Sequence, residues 1–130
     1  MTDNTTEIKI LRDVIDKLDS TGITYMLTGS FALGYYAQPR MTRDVDIVLA
    51  VKEQNIKALI SSFERDYYIS ESAVSSAIKN NTMFNIIHYQ DLIKIDFIVK
   101  KKGEYRDLEF ERRQKIDFLG LDVFILSRAS

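Results

Sequence analysis

Apolar residues recur at helical spacing near the start of the chain and at strand spacing through much of the rest. Ile8, Leu11, Val14, Ile15 and Leu18 fall three or four residues apart, which predicts an amphipathic helix from about Thr5 to Ser20. Asn4-x-x-Glu7 has the form of a capping box ahead of it, and Thr21-Gly22 ends it. Thr24 to Thr28 reads as a strand, Ser30 to Ala37 as a short helix, and Asp44 to Val51 as a second strand. Ile56, Leu59, Ile60 and Phe63 predict a helix from about Glu53 to Arg65, followed by a short strand over Tyr67 to Ile69. Ser70 to Asn80 is polar and supports no more than a helical turn. Met83 to Tyr89 and Leu92 to Lys100 are extended runs around Gln90-Asp91, which predicts a hairpin. Tyr105 to Arg113 reads as a short charged helix, and Lys115 to Leu119 with Leu121 to Leu126 as a last hairpin about Gly120.

Composition narrows the class. A chain of 130 residues with 45% hydrophobic content is expected to build one α/β (α+β) domain, over residues 1–130, around one core. No internal repeat, low-complexity tract or interdomain linker interrupts it. The net charge of -1 argues against a general polyanion-binding surface. Without cysteine, disulfides and thiolate metal sites are excluded. The polar start Met1-Thr2-Asp3-Asn4-Thr5-Thr6-Glu7 lacks a signal-peptide core, and no apolar run approaches the ~18 residues of a membrane span. The expectation is a cytoplasmic protein with no membrane partner.

Two short motifs then carry the chemistry. Asp44 and Asp46 stand at the head of the second strand, where alternation puts both on one face and Val45, Ile47 and Leu49 on the other. Two carboxylates side by side call for a cation, and Mg²⁺ or Mn²⁺ carrying a phosphate suits them. Gly29-Ser30 closes the preceding strand and opens a helix, whose free N–H groups and dipole favour an anion such as a triphosphate. Asp96 interrupts the apolar strand Lys94-Ile95-Asp96-Phe97-Ile98, where an uncompensated charge would be costly. It is the candidate third carboxylate, serving as second-metal ligand and base.

Gly29-Ser30, Arg40-x-Thr42-x-Asp44-x-Asp46 and the isolated Asp96 together resemble the nucleotidyltransferase superfamily of DNA polymerase beta. The Thr-Arg-Asp-x-Asp wording is similar to small prokaryotic members related to abortive-infection toxins. The resemblance covers roughly Ile8 to Leu126, and its specific part is Leu27 to Leu49. It implies a mixed β-sheet backed by helices and Mg²⁺-dependent transfer of a nucleoside monophosphate from NTP, with release of pyrophosphate. It assigns Asp44, Asp46 and Asp96 as catalytic metal ligands, and Gly29, Ser30 and Arg40 to the nucleotide. Such proteins usually carry further helices after the last strand, and the expectation is a domain without them. The acceptor (protein, RNA or small molecule) is not inherited from the resemblance.

Other residues fit ordinary roles better. Arg43 suits a surface or structural ion pair as well as phosphate steering, and Thr42 suits local hydrogen bonds. His88 in an apolar strand reads as structural, Tyr35 and Tyr36 as helix packing, and Lys100 to Lys102 as a solvated turn. A non-catalytic nucleotide-fold module, for instance bound to an antitoxin, is the alternative function, and self-association is compatible with either. A Mg²⁺ phosphohydrolase fits less well, because it gives the Gly-Ser helix no role.

Overall fold

The structure, a computed structural model, describes residues 2–27, 44–101, 103–118 and 120–125. Gly29, Ser30, the helix expected over Ser30 to Ala37, and Arg40, Thr42 and Arg43 lie outside the described residues. Helix α1 (Thr2–Thr21) presents Ile10, Leu11, Val14, Ile15 and Leu18 to the core, all at most 4% exposed. It starts before the expected boundary, so Asn4 lies inside it and does not cap it. No glycine or proline precedes Asn4, and each residue added to an existing helix gains a backbone bond. Gly22 ends the helix at φ 77°, a conformation costly for other residues. Its N–H bonds to Asp19 and that of Ile23 to Leu18, the paired bonds of a Schellman motif.

Among the described residues, seven strands form one mixed sheet. They are β1 (Thr24–Leu27), β2 (Asp44–Ala50), β3 (Tyr67–Tyr68), β4 (Met83–His88), β5 (Lys94–Val99), β6 (Gln114–Phe118) and β7 (Leu121–Ile125). Their spatial order is β3-β4-β5-β2-β1-β7-β6. Both expected hairpins are present, β4 with β5 and β6 with β7, each antiparallel. The central pair, β2 with β5, is parallel and distant in sequence. One sheet face is apolar throughout: Tyr25, Leu27, Ile47, Leu49, Phe84, Ile86, Ile95 and Phe97 are buried in the core cluster with α1. Burial of this surface in place of hydration is the main driving force for the fold.

Helix α2 (Ile56–Phe63), entered through a 3-10 turn at Glu53–Asn55, adds Leu59 and Phe63 to that core. Phe63 meets Tyr67 and Phe97 edge-on, at centroid distances of 5.3 and 5.8 Å. The segment after Ser70 is a full helix, α3 (Glu71–Asn80), which the sequence reading underestimated. Its buried stripe consists of only Val74 and Ala77, too small to stand out among serines. Local chemistry supplies the rest: Ser70 Oγ accepts from the N–H of Ala73, and Asn81 ends the helix at φ 54°.

The opposite sheet face is covered in part by α4 (Glu104–Glu111). Phe110 at its end is 7% exposed, and Lys100 ties it to the sheet through an ion pair with Asp107. The Arg113 guanidinium lies 4.6 Å from the ring centroids of both Phe110 and Phe124, and donates to the Phe110 carbonyl at 2.9 Å. This cation sandwich fixes α4 against β7. Lys100 is therefore a structural tie rather than part of a solvated turn. Among the described residues, no helix is long and apolar enough to cross a membrane.

Two buried tyrosines link stability to pH. Tyr67, fully buried, donates to Asp13 Oδ2 on α1 at 2.8 Å. Burial first, and then this bond and the carboxylate charge, push its phenol far up from the usual range. Burial pushes Tyr25 up to about 12. Unfolded tyrosines ionise near pH ~10. The contribution is therefore complete below that pH and lost as the pH rises above it, because the unfolded chain releases protons that the folded one keeps. Thermal melts should be flat through neutral pH and fall steeply above pH ~10. Tyr67→Phe should cost about 1 kcal/mol at pH ~7 and make the alkaline fall shallower, both readable from the same melts.

Candidate active site

The face of the sheet away from the core is amphipathic in rows. Asp46 of β2 and Asp96 of β5 are register partners in the parallel pair. Asp96 is in turn the partner of Asn85 on β4. Partnered positions in neighbouring strands share a face, so Asp46, Asp96 and Asn85 form a polar row across three strands. The flanking Ile47, Ile95, Phe97, Phe84 and Ile86 point into the core. Asp46 and Asp96 are half-buried, accessible yet partly withdrawn from water. Lys94 Nζ stands 3.8 Å from Asp96 Oδ1, a first counter-charge for the row.

The sequence-predicted residues divide as follows. The structure brings Asp46 and Asp96 together on one accessible face. Asp44 opens β2, with its backbone opposite Lys94. Gly29, Ser30 and Arg40 lie outside the described residues. His88 sits apart in β4: its Nδ1 accepts from the N–H of Asp91 at 3.2 Å, and its ring meets Tyr67 edge-on at 5.0 Å. Those contacts fix the β4–β5 turn. Asn85 and Lys94 were missed by sequence reasoning. The available signal was Asn85 as the polar residue between Phe84 and Ile86, which needs the β4–β5 register before it acquires meaning.

Two residues further along the strands, the same face turns apolar. Met26, Val48, Ile98 and Met83 are successive register partners across β1, β2, β5 and β4. A strand rises ~3.3 Å per residue, so this row lies ~7 Å from the carboxylates. Phe110 covers part of it and, with Met26, Val48, Ile98 and the Lys100–Lys101 segment, lines an open cavity of about 280 Å³. The face thus joins a polar row, suited to charge and coordination, to an apolar floor suited to the body of a small ligand.

The donor set fits a hard divalent cation, which takes carboxylate and amide oxygens. Asp46 and Asp96 supply two carboxylates, with the Asn85 carbonyl on the same row. Among the described residues, no group of three or more His, Cys, Asp or Glu side chains is close enough to hold a metal ion by itself. Asp44, with a side chain outside the description, is the remaining candidate.

The sequence matches no family model and no curated protein. Solved structures with the same architecture do exist. The chain is similar to the lincosamide antibiotic adenylyltransferase LnuA in a lincomycin-bound structure, at 14% identity and a TM-score of 0.61, covering 93% of this chain and 80% of that one. It is similar to a putative nucleotidyltransferase of Thermotoga maritima, at 18% identity and a TM-score of 0.59, over 96% and 80% of the two chains. An antigenic nucleotidyltransferase-like protein of Paracoccidioides brasiliensis matches at 21% identity and a TM-score of 0.53, over 95% and 62%. The seven-stranded mixed sheet with its helices is a nucleotidyltransferase fold.

Like charges on registered neighbours destabilise a sheet by a few tenths of a kcal/mol to ~1 kcal/mol. Asp46→Asn, measured without metal at low salt and neutral pH, should therefore raise stability by about 0.5 kcal/mol. The gain should shrink at ~1 M salt, where screening reaches within a few ångströms. A clear loss in the thermal melt would mean that Asp46 holds a structural bond instead.

Proposed function

We propose that the chain is a nucleotidyltransferase that moves a nucleoside monophosphate from NTP to the hydroxyl of a small-molecule acceptor. The observation that carries this reading is the parallel register of Asp46 with Asp96 on an accessible sheet face, within a nucleotidyltransferase fold. The acceptor oxygen attacks the α-phosphorus, the bond from that phosphorus to the bridging oxygen breaks, and pyrophosphate leaves. Asp96 takes the hydroxyl proton, and its Lys94 neighbour stabilises the carboxylate between turnovers. Asp44, Asp46 and Asp96 are the residues to hold Mg²⁺ or Mn²⁺, which supplies charge neutralisation on the triphosphate when bound. Gly29, Ser30 and Arg40 are assigned to the phosphates by their place in the sequence motif.

The small-molecule acceptor is favoured by the apolar floor of Met26, Val48 and Ile98, two residues along the strands from Asp46 and Asp96. The lincosamide acceptor of LnuA is of the same chemical kind. A long nucleic-acid acceptor would call for a positively charged track, which the balanced net charge does not suggest.

The test is incubation with each labelled NTP, Mg²⁺ and fractionated lysate, with label followed into RNA, protein and small molecules. Label should appear in the small-molecule fraction and vanish in EDTA. Asp44→Asn, Asp46→Asn and Asp96→Asn should each lower transfer by at least about 10²-fold while the circular dichroism spectrum is kept. Label in RNA or protein would overturn the acceptor class. A folded protein that transfers nothing from any NTP, with NTP affinity unchanged by EDTA, would favour the non-catalytic interaction module.

A further inference from the structure

The two edges of the sheet are built differently. One ends in β3, only two residues long, which offers little backbone for pairing. The other ends in β6, five residues long, and no described element pairs with its outer side. The closing partners of the β6–β7 hairpin, Phe118 and Leu121, are separated by two residues of intervening sequence. In such hairpins the closing pair exchanges both backbone bonds, and bonding then alternates along the strand. Gln114, Ile116 and Phe118 therefore bond inward to β7, and Lys115 and Asp117 turn their N–H and C=O groups outward.

The charges on this edge are unusual. Asp117 faces Asp122 directly across the hairpin, a like-charge pair, and its Oδ1 accepts from the Gly120 N–H at 2.7 Å. Lys115, 3.9 Å from Asp122, is the neighbouring cation on that face. It is 60% exposed, and Asp122 is 68% exposed. Edge charges usually protect against pairing, but only if they repel an approaching copy. We propose that β6 pairs antiparallel with β6 of a second copy of this chain, about a two-fold axis at Ile116, so that the two sheets become one.

The outward-facing groups allow three centres for such an axis. An axis at Lys115 sets Lys115 against its own copy, and one at Asp117 sets Asp117 against its own copy. Only the axis at Ile116 sets Lys115 opposite Asp117 of the partner subunit, and Asp117 opposite Lys115 of the partner subunit. Each Asp117 then gains the cation that its own hairpin lacks directly opposite. The two Ile116 side chains meet on the core face, where Ile116 already packs against the apolar cluster. Parallel pairing in register would instead oppose like charges. The arrangement is isologous, as a two-fold contact must be. It uses none of the residues assigned to transfer and stands independently of that reading.

Sedimentation velocity on the full chain, from low micromolar to several hundred micromolar, tests the pairing. The chain should shift from monomer to dimer across that range. Lys115→Asp and Asp117→Lys should each weaken the dimer at least tenfold, and the double exchange should restore it, because the swapped charges again face opposites. A chain that stays monomeric throughout, single reversals that dimerise normally, or a folded double variant that stays monomeric would each overturn the proposal. Amide hydrogen exchange on the unaltered chain keeps the test decisive if a variant misfolds. Protection at Lys115 and Asp117 should rise with concentration, and concentration-independent exchange at both would overturn the proposal.

Discussion

The pairing of β2 with β5 is the constraint on which both the core and the candidate site depend. Because side chains alternate, its register decides two things together. Ile47 and Leu49 meet the core beside Phe97 and Val99, while Asp46 and Asp96 meet on the opposite face. A slip by one residue would bury the carboxylates and expose the apolar set. Desolvating a carboxylate without a partner is far more costly than losing one strand bond. The hydrophobic core therefore enforces the carboxylate row, and no separate device is needed to align it.

Much of this was legible in the residues. The helical spacing of Ile8 to Leu18 marked α1, and the alternation along Asp46-Ile47-Val48-Leu49 placed the two faces of β2. The first hairpin followed from the polar Gln90-Asp91 and the second from Gly120, each between extended runs. What escaped were features that depend on tertiary context. The α3 helix rests on a cap at Ser70 and on the small side chains Val74 and Ala77, which carry little periodic signal. Asn85 joins the polar row only through the strand order, which brings β4 beside β5 and β5 beside β2. The apolar floor under Phe110 likewise draws on three strands and a helix, and no local window contains it.

The two faces of the sheet also differ in how they are closed. The core face is sealed by helices that bury apolar side chains, five of them from α1 alone. The other face is held by a few specific contacts, among them the Lys100–Asp107 ion pair and Arg113 between Phe110 and Phe124. Such contacts fix α4 without filling the space beneath it, and a cavity over Met26, Val48 and Ile98 survives. A face closed by the packing of large apolar side chains would have left none.

The sequence separation of the central pair bears on the order in which the molecule assembles. Asp46 and Asp96 are register partners yet lie 96 − 46 = 50 residues apart along the chain. The hairpins β4–β5 and β6–β7 close over short turns, whereas joining β2 to β5 requires a long loop to close first. Non-local pairing of this kind slows folding and comes after local structure. The carboxylate row is therefore a property of the finished sheet alone. A nascent or partly unfolded chain holds its aspartates on separate pieces and has no assembled row.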